Sequence, residues 1–161
     1  MRLNRSEIAT RIPHAGNMVL LDTVDTWDDD HIVCRAVSHR DHANPLYVSG
    51  QLSSVCAVEY AAQAMAVHGS LLGDRRMPDR VPGGAISPTG KPRVGFLASV
   101  RNVRMDVARL DDIFGVLTIE ARRESGDDTR VLYGFEVRSG TRVLVSGRAA
   151  VVLDADDGLL S

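Results

Sequence analysis

The chain has 161 residues, enough for one domain with a substantial core and short for two. Its formal net charge is −2, which gives no pull toward nucleic acid or an anionic membrane surface. Cys34 and Cys56 stand alone, without a CxxC or zinc spacing, and are expected to be buried thiols in a reducing cytoplasm. The first residues, MRLNRSEIATRI, hold no apolar signal core, and no run approaches the length of a membrane span. A cytoplasmic protein of one domain over residues 1–161 is the expectation.

In chain order, NRSEIATRI (4–12) predicts a short amphipathic helix, with Asn4 as N-cap and Ile8 and Ile12 one turn apart. Pro13 stops it, and His14 to Asn17 read as a turn. Two strands follow, Met18 to Trp27 and His31 to Ser38, joined at Asp28, Asp29 and Asp30. Residues 39–50 (HRDHANPLYVSG) form a polar loop that leads into a helix. After that helix, 73–92 contains four prolines and four glycines and predicts a long irregular loop. Strands are then expected over Val94–Val107, Ile113–Arg123, Arg130–Arg138 and Arg142–Leu153, and the acidic tail is expected to fray.

The intervening helix, Gln51 to Leu72, is the centre of the pattern. Ala57, Ala61, Ala62, Ala64 and Ala66 are spread among Leu52, Val55, Val58, Met65 and Val67, and no charged stripe marks a solvent side. Glu59 is the single acid within this apolar run. No Lys or Arg stands one turn away, and Gln63 lies four residues on, on the same face. A carboxyl in such a run needs a distant partner or a chemical role, because an unpaired buried charge is costly. Six antiparallel strands and one apolar helix make an α+β domain in which the helix covers one sheet face. The edge strands left open are expected to pair in a dimer.

This order is the hotdog architecture, and the residues resemble those of the 3-hydroxyacyl-[acyl-carrier-protein] dehydratases. The likeness is greatest to the dehydratases of bacterial aryl polyene biosynthesis. IPHAGNMVLLDTV (12–24) resembles the family's Pro-His turn and its Leu-Leu-x-Asp or Leu-Val-Asp strand. NPLYVSGQL leading into VEYAAQAMAVHG resembles the entry to the central helix with its Glu-x-x-x-Gln pair. GFLASVRNVRM (95–105) is similar to the strand beside the active site. The family's Gly-His-Phe-Pro-Gly motif, whose His is the base, is absent.

The resemblance implies dehydration of a 3-hydroxyacyl thioester on acyl carrier protein, with no cofactor or metal. It makes Glu59 the acid and implies a dimer, homomeric or with another hotdog subunit. The base has to be found among the histidines. His39, at a strand end, is the expected base, and His42 is the alternative; a His near neutral pKa suits removal of an α-proton. The N–H groups from Gly50 to Ser54, at the helix start, are expected to bind the thioester oxygen, with Gln63 also at the site. Two other readings remain open: a hotdog thioesterase using Glu59, and a non-catalytic subunit paired with an active dehydratase.

Overall fold

Asn4 opens the fold as a helix cap. Its side chain accepts from the Glu7 N–H at 3.0 Å, and the Glu7 carboxylate accepts from the Asn4 N–H at 2.8 Å, a reciprocal capping box. Helix α1 (Arg5–Ala9) buries Ile8, and a 3-10 turn follows at Gly16–Met18. The structure is a computed structural model that describes residues 2–76, 95–127 and 129–153.

Six strands form one antiparallel sheet: β1 (Thr23–Trp27), β2 (His31–Ala36), β3 (Gly95–Met105), β4 (Leu117–Gly126), β5 (Arg130–Ser139) and β6 (Arg142–Leu153). Their spatial order is β1-β2-β4-β5-β6-β3. Registers place apolar residues opposite one another on one face. Ile32 lies across from Ala121, Cys34 from Ile119 and Ala36 from Leu117, all buried. On the outer face Glu120 accepts from Arg138 at 2.9 Å and from Arg122 at 3.3 Å. Helix α2 (Ala57–Arg76) packs on the apolar face, chiefly against β2, β4 and β5. This is the expected hotdog architecture, a sheet curled over one long helix.

Several boundaries moved from their expected places, β4 for one beginning at Leu117 and not at Ile113, and two moved for identifiable reasons. The first strand begins at Thr23 and not at Met18, because the Met18 carbonyl and Leu20 N–H bond to a helix side chain, Gln63, and not to another strand. The central helix begins at a 3-10 turn over Ser54–Cys56, and not at Gln51. Here the main chain is engaged across the fold: Leu110 N–H donates to Leu52 O at 2.8 Å and Ser54 N–H to Ala108 O at 3.0 Å. At its other end α2 continues through Arg76. Most of the expected long loop over 73–92 lies outside the described residues, as does the tail.

The sheet has two edges. Along β1, Leu3 exchanges both main-chain hydrogen bonds with Val24, at 3.0 Å each, and so covers part of that edge. Among the described residues no strand pairs with the outer side of β3, where Leu97, Val103 and Met105 stay exposed.

Candidate active site

Between Val55 and Gly73, the positions not fully buried are Val55, Cys56, Val58, Glu59, Ala62, Ala66, Gly69 and Gly73. The spacing is helical, so they line one open stripe along α2. Glu59 is its single charged residue. Every other residue there is apolar or small.

Glu59 has a partner. His14 Nε2 lies 3.0 Å from Glu59 Oε1, and the two side chains keep 26% and 35% of their exposure. The pair is therefore reachable from the open stripe while resting on the fold. Its turn is built locally. Pro13 ends the α1 region, Gly16 takes the left-handed conformation (φ 58°), and Met18 and Val19 N–H groups close the 3-10 turn on Ala15 and Gly16. Nδ1 of His14 is buried without a protein partner.

Within this chain His39 is bonded elsewhere than to Glu59. Its ring is 1% exposed, and Nε2 donates to the Ile113 carbonyl at 2.8 Å, so the imidazole ties the 38–40 turn to the β3–β4 connection. Burial pushes its pKa down, against the raising effect of that hydrogen bond. The alternative, His42, is exposed and lies beside the Tyr47 ring. The signal for His14 was present in the sequence as the Pro-His pair ahead of Leu20-Leu21-Asp22. A turn position concealed it, because a turn has no periodicity to say where its side chain reaches.

Gly50 also stands elsewhere than expected. Ser49 and Gly50 (φ 51° and 75°) form a tight two-residue turn, across which Val48 and Gln51 exchange main-chain hydrogen bonds. Gly50 thus lies inside a hairpin turn, ahead of the helix start at Ser54. Three of the N–H groups from Gly50 to Ser54 are engaged: Gln51 with Val48 O, Leu52 with Asp111 Oδ1 and Ser54 with Ala108 O. Gln63 is fully buried and holds main chain. Its Oε1 accepts from Leu20 N–H at 2.9 Å, and its Nε2 donates to Met18 O at 2.7 Å.

Around the site lies a buried polar layer. Tyr60, next to Glu59 but turned inward, shares a 2.7 Å hydrogen bond with Ser38 Oγ and accepts from Asn44 Nδ2 at 3.3 Å. Burial pushes the Tyr60 phenol up to about 12. Cys56 also titrates high, from burial and from the charge of Glu59. His68, farther along α2, is fully buried: Nε2 donates to Asp28 O and Nδ1 accepts from Tyr133 OH, each at 2.7 Å. It is thus a neutral tie between helix and sheet. Cavities of about 370 Å³ and 410 Å³ lie elsewhere, at the C-terminal end of α2 near Arg75 and Arg123, and on the outer sheet face near Gly134 and Arg148.

His14, Glu59, Leu20-Leu21-Asp22 and the curled sheet all lie within the span of one family match. The chain matches the ApeP-like family, described as ApeP dehydratase, over residues 6–158. It belongs to the ApeP-like dehydratase family. Among solved structures it is similar to the dehydratase heterocomplex ApeI:P from Xenorhabdus doucetiae, with 25% identity and a TM-score of 0.78 over 95% of this chain and 94% of that one. A Staphylococcus aureus thioesterase is 12% identical with a TM-score of 0.54, over 82% of this chain and 92% of that one. A hypothetical thioesterase with coenzyme A from Streptococcus pneumoniae is 14% identical, with a TM-score of 0.54 over 83% and 85%. These last two likenesses are of fold. No curated protein matches.

Proposed function

We propose that this ApeP-like dehydratase removes water from 3-hydroxyacyl chains carried on acyl carrier protein, in the cytoplasm, during aryl polyene assembly. His14 is the base and Glu59 the acid. The observation that carries this reading is the 3.0 Å contact between His14 Nε2 and Glu59 Oε1 on the open stripe of α2.

The reaction needs an α-proton removed and a β-hydroxyl protonated. His14 takes the proton from the α-carbon, and that electron pair becomes the new carbon–carbon double bond. The β-carbon to oxygen bond breaks as Glu59 gives its proton to the departing hydroxyl, which leaves as water. His14 then carries one proton too many and Glu59 one too few. Their hydrogen bond returns the proton from imidazole to carboxylate and resets the pair. Holding both heads within one hydrogen bond converts a two-catalyst step into one encounter.

The acyl chain lies along the stripe from Glu59 past Ala62 and Ala66 toward Gly69. The small side chains there leave room for it, and their apolar character suits a hydrocarbon. One helix face is half a tunnel. A second hotdog subunit supplies the other half, in a homodimer or a heterodimer; the uncovered β3 edge and the heterocomplex form of the ApeI:P relative support this.

The test is enoyl formation from a 3-hydroxyacyl carrier-protein thioester by the wild type, His14→Ala and His39→Ala. Loss in His14→Ala with retention by folded His39→Ala is expected. The reverse pattern returns the base role to His39, and release of free thiol without enoyl product would make the protein a thioesterase.

A further inference from the structure

Among the described residues, Gln63 is the one on the buried side of α2 whose side chain grips the segment that carries His14. It stands four residues beyond Glu59, about 6 Å along the helix and turned from the open stripe to the buried side. Both ends of its amide are used, one by the Leu20 N–H and one by the Met18 carbonyl. The partners fix the orientation of the amide, since an N–H can only meet its oxygen and a carbonyl only its NH₂. The segment from Pro13 to Leu20 has one other short inner tie, from Ser38 Oγ to Leu20 O at 2.7 Å, at the end of the segment far from His14. Arg5 reaches Gly16 O at 3.4 Å from outside, a long contact of a partly exposed side chain.

We infer that Gln63 is a positioning residue for the His14–Glu59 pair. The helix works as a ruler: Glu59 presents the acid at one turn, and Gln63 fixes the main chain behind the base at the next. The distance between the two heads is thereby set by one rigid helical turn and a braced main-chain turn. The contact itself does not have to hold them together. An apolar side chain of the same size would fill the space without burying an amide, but it would leave the Leu20 N–H and Met18 carbonyl unpaired beneath the site. In catalytic terms the inference rests on the proposed roles of His14 and Glu59; in geometry it does not.

The full chain, Gln63→Met and Gln63→Glu test it by two separate readouts. Histidine NMR, with the His14 signal identified by its loss in His14→Ala, reports whether base and acid still meet. In wild type, Glu59→Gln should shift the His14 titration; in a Gln63→Met background the same change should shift it little. Turnover of a 3-hydroxyacyl thioester reports the consequence. In Gln63→Met, kcat is expected to fall on the order of 100-fold, the scale of a misplacement near 1 Å, with KM little changed. Gln63→Glu should rescue at low pH, where its protonated carboxyl offers the same acceptor and donor, and should lose ground to wild type as pH rises. A folded Gln63→Met with wild-type coupling and wild-type kcat overturns the inference. If the Met variant does not fold, a constant ratio of Gln63→Glu to wild-type kcat across pH overturns it instead. Should the wild type not dehydrate such thioesters, the proposed function fails while the NMR coupling still decides the clamp.

Discussion

His14 and Glu59 are 45 residues apart in the chain and 3.0 Å apart between Nε2 and Oε1. One comes from a turn before the first strand, the other from the first turn of the central helix. The contact answers the question the sequence raises about a lone acid in an apolar helix: its partner is a histidine from outside the helix and its flanking loop.

His39 separates structure from chemistry. Its Nε2–H bonds the Ile113 carbonyl in a buried position. Replacing it with Ala removes that donor and leaves the carbonyl unsatisfied, at a cost of about 1–3 kcal/mol. Denaturant unfolding should show this loss, while enoyl formation per folded molecule stays near that of the wild type.

A second prediction concerns acid. Burial lowers the pKa of both His39 and His68 below the ordinary value of 6.5. Below that value the unfolded chain binds protons that the folded chain refuses, so stability is full above it and falls as pH drops through it toward the folded-state pKa. Unfolding midpoints taken across this range should decline on the acid side. His68→Gln should flatten the decline, whatever it does to stability at neutral pH. An undiminished acid slope in that variant would remove His68 from the account.

The His68–Tyr133 bond gives a third. Tyr133 OH is the donor to a histidine nitrogen that has no water to turn to. Tyr133→Phe keeps the ring and deletes that donor. The expected loss is about 1–3 kcal/mol, with the site untouched, read by thermal or denaturant unfolding.

Chain accommodation gives a fourth. Ala66 lies on the open stripe, two turns beyond Glu59. Ala66→Phe should depress turnover of long acyl chains far more than of short ones, because only a long chain reaches it. Equal losses for both lengths would place the chain on another path.

The fold was legible because periodicity carries it. The alternation in β4 to β6 and the apolar run of α2 each demand one kind of burial, and six strands with one helix leave few ways to provide it. Boundaries were less legible where side chains reach across the fold. Gln63 takes the main chain at Met18 and Leu20 out of the strand, and the pairing of Leu52 and Ser54 with Leu110 and Ala108 delays the helix. Glu59 was visible in the sequence because it conflicts with its surroundings. Its partner was not, because a histidine in a turn conflicts with nothing. His39 drew the expectation because a strand end would fix its place, but the fold uses its ring to tie the 38–40 turn to Ile113.

The central claim is that His14 and Glu59 act as one proton-exchanging pair, and single-turnover enoyl formation by His14→Ala, Glu59→Gln and the double variant tests it most directly. General acid–base groups each contribute on the order of 100- to 10,000-fold, and groups that act as a unit are strongly non-additive. The account predicts that each single change costs about as much as both together. Single losses that multiply in the double variant, or a His14→Ala enzyme as fast as wild type, would contradict it.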